Sequence, residues 1–328
     1  MKATWYTRQG APAEVMQFGE QPTPHAGPGE IRVRLQASGV NPADTYRVIG
    51  RGYGLEGPLV IPDSDGAGIV DEVGPGADAG WLGRRVWLYN GQRGGRLLGT
   101  AAEYIALDAS LVAELPEGTA FAEGACLGIP CMTAHRAVTL GGALAGRTVL
   151  VTGGAGAVGH YAIQWAKRFG ARVVTTVSSA EKGTHATNAG ADLVVDYKRG
   201  DVAARVKAFS PRGVDHVVDV DLGGNLVAVL PLVAANGSIA FYASRGNLTP
   251  VVPMQELMRR NLSVHGILLN TAPLAARQRA QADTVQWLRE GGMRHAVDSV
   301  HPLAQTAAAH ETVVAGTKRG TVVVDCSI

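Results

Sequence analysis

Between residues 148 and 268, short apolar runs alternate with helical stretches, and a glycine-rich turn opens the series. The runs are TVLVT (148–152), ARVVTTV (171–177), DLVVD (192–196), GVDHVVDV (213–220), GSIAFYA (237–243) and LSVHGIL (262–268). Helices are predicted near 157–169, 180–189, 200–209, 223–234 and 253–260. β-branched runs separated by helices need crossover connections, hence a parallel sheet covered on both faces. Strands in this alternating order specify a doubly wound, dinucleotide-binding α/β architecture.

The turn after the first run carries Gly154, Gly156 and Gly159, a GxGxxG pattern between a strand and a helix. The first glycine permits the tight turn, the second lets backbone approach a pyrophosphate, and the third lets helix pack on strand. Backbone N–H groups and the positive end of the helix dipole then face the anion. The bland alternative is an ordinary glycine turn. The end of the second strand decides which dinucleotide fits. An NAD site offers Asp or Glu there to the ribose 2′-OH. This chain runs VVTTVSSAEK, with Ser178 and Ser179 in place of the acid and Lys182 one helical turn later. Hydroxyls and an ammonium suit a 2′-phosphate, so NADPH is the expected cofactor. Glu181 intervenes, either facing solvent or serving a capping pattern with Ser178. The competing reading makes Ser178 only an N-cap and Lys182 only a solvated helix residue.

The first 120 residues differ: EIRVRLQASGV (30–40), GAGIVDEVG (66–74), GRRVWLYN (83–90) and TAAEYIALDASLVAELP (100–116) are short strands between Gly/Pro/Asn/Asp clusters. That pattern predicts a compact, mostly β domain. The tail holds one helix within 271–291, a second near 303–315 and a closing strand GTVVVDC, which is expected to return to the N-terminal β domain without a parallel partner of its own. A chain of 328 residues carries two domains on size grounds. The formal net charge of +2 gives no electrostatic reason to expect nucleic acid or an anionic membrane. No signal-peptide core or bilayer-length apolar run is present, and three cysteines without a CxxC fit a reducing cytoplasm.

Taken with GVNPADTY (39–46), IPDSDGAGIVDEVG (61–74), AEYIAL (102–107), MTAHRAV (132–138), GGAGAVG (153–159), VSSAEK (177–182), GADLVVDY (190–197) and FYASRG (241–246), the chain resembles the zinc-free quinone oxidoreductase (zeta-crystallin-like) branch of the medium-chain dehydrogenase/reductase superfamily. The resemblance implies a GroES-like, mostly β catalytic domain (1–123 and 270–328) and a doubly wound Rossmann domain (124–269), with a homodimer as the common assembly. It also implies site residues. Asn41 and Thr133 fall on the nicotinamide side, and Gly156, Ala157 and Val158 at the pyrophosphate. Ser178, Lys182 and Tyr197 fall at the 2′-phosphate and adenosine. Tyr242 and Ser244 lie in a segment that meets the cofactor, and Lys318 resembles a late basic contact with altered spacing.

Zinc-dependent members of the superfamily carry Cys where this chain has Asn41, His-Glu where it has PDSD (62–65), and a cluster of closely spaced cysteines. Neither ligand set is present in the sequence, so no metal is expected and catalysis is expected to run without a Lewis acid. Hydride transfer to a quinone or an activated alkene needs only aligned reactants and a stabilised oxyanion. Tyr46, after NPAD, is a candidate oxyanion donor or else an aromatic packed on the loop. Arg245 either attracts an enolate oxygen or is a surface arginine, and Tyr53 could line an aromatic slot. An enal or enone reductase is the nearest alternative. A non-catalytic crystallin-like or nucleic-acid-binding role is disfavoured by the absence of a basic stripe interleaved with aromatics.

Overall fold

The computed structural model describes residues 1–327. Its contacts divide into two compact units, Met1–Pro130 with Gln281–Ile328, and Cys131–Ala280.

The N-terminal part of the first unit contains strands β1 (Lys2–Trp5), β2 (Gln17–Glu20), β3 (Glu30–Val40), β4 (Asp65–Val73), β5 (Arg85–Leu88), β6 (Tyr104–Asp108) and β7 (Val112–Glu114). Helices α1 (Pro12–Val15), α2 (Pro42–Ile49) and α3 (Phe121–Gly124) interrupt them. In β3 the period-two pattern buries Ile31, Val33 and Leu35 while Arg32, Arg34 and Gln36 lie on the other face. Each of those three burials contributes roughly 1.5–3 kcal/mol. β1 and β2 form a separate antiparallel pair that the sequence patterning did not mark. Helix α2 was also unmarked within this β-rich stretch, yet its start is chemically explicit. Pro42 stands in the first turn, the Asp44 carboxylate accepts from the Asn41 backbone N–H at 2.9 Å, and Gly50 ends the helix with φ +73°.

The second unit opens with α4 (Met132–Thr139). It continues as β8 (Thr148–Val151), α5 (Ala157–Arg168), β9 (Arg172–Val177), α6 (Ala180–Asn188), β10 (Leu193–Asp196), α7 (Val202–Phe209), β11 (Val214–Asp219), α8 (Leu222–Val229), β12 (Val233–Phe241), α9 (Met254–Arg259) and β13 (Ser263–Gly266). The sheet order is β10-β9-β8-β11-β12-β13, and all of its pairings are parallel. The order reverses between β9 and β11 around β8, the topological switch point where such folds bind dinucleotides. The helix expected over 223–234 is shorter than its apolar run suggested. It closes as a 3₁₀ turn over Leu230–Leu232 containing Pro231, and β12 begins at Val233. β12 is paired on both sides, by β11 and β13, so GSIAFYA lies inside the sheet, whose edges are β10 and β13.

The tail consists of α10 (Leu274–Glu290), β14 (Val297–Pro302), α11 (Thr306–Ala315) and β15 (Thr321–Asp325). β15 does rejoin the N-terminal sheet, antiparallel to β3. It also has the parallel partner that the sequence pattern missed, β14, reached through α11. The missed strand VDSVHP has few strong β-formers and is largely half-exposed, so its signal was weak. Among the described residues, no helix is long and apolar enough to cross a membrane.

Candidate active site

In the second unit the glycine loop sits between β8 and α5. Gly153 turns the chain with φ +67°. A Cβ at Gly154 would lie 2.1 Å from Thr175 Oγ1, and one at Gly159 would lie 2.3 Å from the Gly153 carbonyl oxygen. These two glycines are therefore demanded by the protein's own packing. Gly156 is different: its nearest neighbour would be the Gly153 carbonyl oxygen at 3.3 Å, and its backbone (φ −77°, ψ 165°) suits any residue. Its small size keeps open a space that the chain itself does not fill. No side chain caps α5, and its first turn holds no acidic residue. Ala157 and Val158, both half-buried, supply early N–H groups with no intrahelical acceptor. Such unsatisfied N–H groups at a helix N-terminus have the chemistry to hold an anion.

At the end of β9, Ser178 and Ser179 are half-buried and Tyr197 is 53% exposed. The N-cap of α6 is Ser179, whose Oγ accepts from the Lys182 N–H at 3.3 Å, so the capping role expected of Ser178 belongs to its neighbour. The Ser178 hydroxyl is thereby not committed to the cap, and the Lys182 ammonium makes no ion pair among the described residues. Glu181 is exposed.

Beyond β12, Tyr242 is half-buried, and desolvation together with the Asp219 carboxylate pushes its phenol up. The next turn is tied down by Asp221, whose carboxylate accepts from the N–H groups of Arg245 at 2.6 Å and Gly246 at 2.9 Å. The Ser244 hydroxyl donates to the Asn247 carbonyl at 2.8 Å. Asp219 is fully buried at the end of β11 and accepts from Thr152 Oγ1 at 3.1 Å, just before the glycine loop. Desolvation raises its carboxyl against those donors. Thr133 is buried in the first turn of α4. Asp219 and Asp221 were not picked out from sequence; acids at the end of a β-branched run were the available signal.

In the first unit, α2 and the loop after it carry Asn41, Tyr46 and Tyr53. Arg51 lies 5.7 Å from the Tyr46 ring centroid, and Arg47 lies 4.5 Å over the Tyr53 ring while pairing with Glu56. Lys318, in the turn before β15, donates to the Gly320 carbonyl.

Around Asn41 lies a buried polar cluster that sequence reasoning did not assemble. Asp44 accepts from Ser64 Oγ at 2.9 Å and Arg93 Nη2 at 2.6 Å, with all three side chains buried. Asp63, held at φ +74°, pairs with His310 of α11 at 2.9 Å, both fully buried. Asp65 accepts from Asn41 Nδ2 at 2.7 Å and from the Ile129 N–H at 2.9 Å to each oxygen. Burial pushes the Asp65 carboxyl well above the usual carboxylate range against these donors. Three acids inside PADTY and IPDSDGAGIV were the visible trace, since charges within an apolar run need partners.

The alcohol dehydrogenase GroES-like domain model matches residues 27–117, and the zinc-binding dehydrogenase model matches residues 157–290. The human quinone oxidoreductase is 30% identical over 291 residues, 88% of this chain and 86% of that protein. The tomato (Solanum lycopersicum) 2-methylene-furan-3-one reductase is 31% identical over 276 residues, 77% and 71% of the two chains. Among solved structures, the quinone oxidoreductase from Thermus thermophilus, described alone and in complex with NADPH, superposes with a TM-score of 0.83. It is 30% identical and covers 99% of this chain and 100% of that one.

Proposed function

The chain belongs to the quinone oxidoreductase branch of the medium-chain dehydrogenase/reductase superfamily, and we propose that it delivers hydride from NADPH to a quinone-like conjugated carbonyl acceptor without a catalytic zinc. The observation that carries this reading is the cradle at Gly156 combined with Ser178 and Lys182, instead of an acid, after β9.

When bound, NADPH supplies the hydride. The first turn of α5 and the space at Gly156 hold the pyrophosphate, with Gly154 and Gly159 shaping the loop. Ser178 and Lys182 hold the 2′-phosphate, and the exposed ring of Tyr197 covers the adenosine. Asn41 and Thr133 serve the nicotinamide side. Tyr242 and the Asp221-braced turn line the cofactor, Ser244 through its backbone because its hydroxyl is engaged. Lys318 is assigned to a late basic contact with the cofactor, its ammonium spending one of three donors on the Gly320 carbonyl. Tyr46 and Arg245 are assigned to the oxyanion that develops as hydride arrives, and Tyr53 to one wall of the acceptor slot. The GroES-like domain is assigned to 1–123 and 270–328 and the Rossmann domain to 124–269. The proposed setting is cytoplasmic, with Cys126, Cys131 and Cys326 buried and in no disulfide, and the proposed assembly is a homodimer.

Steady-state assays with 1,4-benzoquinone, 9,10-phenanthrenequinone and a 2-alkenal test the acceptor. Turnover of a quinone with NADPH, well above that with NADH, is expected. The similarity to the furanone reductase favours a second reading, enone reduction, which shares cofactor and hydride geometry. Turnover of the alkenal with no quinone activity selects it.

A further inference from the structure

We propose that Asp65 is a positioning residue for Asn41, fixing which end of the Asn41 carboxamide faces the cofactor. The inference rests on the reading of Asn41 as a nicotinamide-side contact. An asparagine carboxamide has two flips of nearly equal shape and opposite hydrogen-bonding character. Here the only side-chain hydrogen bond of Asn41 among the described residues is the donation from Nδ2 to Asp65 Oδ2 at 2.7 Å. The reversed flip would set a carbonyl oxygen against a carboxyl oxygen at that distance. The ionised Asp65 carboxylate is acceptor-only and therefore selects this flip, with the Asn41 Nδ2 and the Ile129 N–H as its donors; protonation of Oδ2 would release that selection. Asn41 Oδ1 is therefore turned away from Asp65 and is left to accept from a donor outside the loop.

The brace is itself rigid. Asp65 is 0% and Asn41 4% exposed, and the Ile129 N–H is shared by both Asp65 oxygens. A Cβ on Gly128 would fall 2.1 Å from Asp65 Oδ1, so the backbone has been brought against this carboxyl at a position where only glycine fits. At the other end, the Asn41 N–H is held by Asp44, which fixes the main chain from which the carboxamide hangs. A carboxamide so constrained presents an acceptor at a defined place, as expected of a group that orients a ring carrying its own amide N–H donors.

The test is a double-mutant cycle with NADPH and a quinone. Asp65→Asn keeps the size but permits either amide pairing, so kcat should fall about tenfold or more while KM for NADPH changes by no more than about threefold. In an Asn41→Ala background the same change should cost less than about twofold. Additive losses, or an unaltered kcat in Asp65→Asn, overturn the proposal. Should Asp65→Asn fail to fold, the wild-type protein still decides through its Asn41 side-chain amide resonances with NADPH bound. One Nδ2 proton should exchange slowly, and rapid exchange of both overturns the assignment. A wild type that turns over neither quinone nor enone defeats the functional reading instead, and the amide measurement still reports on Asp65.

Discussion

A methyl group at Gly154 would press on the Thr175 hydroxyl oxygen, whereas one at Gly156 would meet only a carbonyl at 3.3 Å. The two positions should therefore respond in opposite ways. Gly154→Ala forces the loop off β9 and is expected to cost about 1–3 kcal/mol in urea unfolding. Gly156→Val should cost no more than about 1 kcal/mol, since the backbone suits an L-residue and the contacts at the N-cap are tight but not clashing. Its cost should appear as a loss of about tenfold or more in NADPH affinity by fluorescence titration. A Gly156→Val variant that binds NADPH normally would remove the pyrophosphate from this loop. Lys182 is tested by the difference between cofactors. A charge-assisted bond to phosphate contributes roughly 1.5–3 kcal/mol, so Lys182→Ala should weaken NADPH about tenfold or more and leave NADH nearly unchanged. Equal losses for both cofactors would return Lys182 to the role of a solvated helix residue.

Strands with strong β-branched alternation were legible in the sequence, and so was the order in which helices separate them. β8 to β13 each lie within a run read from sequence except β12, which starts earlier because Pro231 ends the preceding helix. β14 was lost for want of apolar alternation, and the N-terminal pair β1–β2 for shortness. The cofactor loop was readable because its residues are contiguous. The cluster of Asp44, Asp63, Asp65, Arg93 and His310 was not, since it joins four segments that only the fold brings together. His216 shows the same limit, and it ties three elements. From β11 its Nε2 donates to the Ala137 carbonyl of α4 at 2.9 Å, and its Nδ1 accepts from Ser238 of β12 at 2.8 Å. The neutral ring satisfies both contacts, and burial keeps it neutral by lowering its pKa to about 4. The unfolded chain, with an ordinary histidine near ~6.5, then binds more protons than the folded one between the two values. The His216 contribution is complete above about pH 6.5 and is lost as pH falls toward 4, by up to ~3 kcal/mol. Urea unfolding across that window should show the loss, and His216→Gln should flatten it. An unchanged slope in the variant would mean other groups govern acid stability.

At the scale of the whole molecule, β13 and β10 are the two edges of the six-stranded sheet, and the β13 edge carries the apolar surroundings. β13 closes the six-stranded sheet with its outer edge unpaired among the described residues, and its residues are largely exposed. Around it in sequence stand Leu248 (75% exposed), Val251 (92%), Met254 (68%), Met258 (72%) and Leu268 (61%). A bare edge flanked by apolar side chains is an aggregation hazard unless something covers it. The proposed homodimer would cover it with a second copy. Two β13 edges related by a two-fold can pair antiparallel, and a self-complementary patch closes after one contact rather than propagating. Net charge opposes this little, at +2 for the chain. Val264 lies within the edge strand and is 39% exposed, so Val264→Lys places two ammonium groups close together across the axis without touching the folded core. Sedimentation velocity at micromolar concentration should give a dimer for the wild type and a shift to monomer for Val264→Lys, with NADPH binding retained. A monomeric wild type, or a dimer indifferent to the substitution, would mean that β13 is covered in some other way.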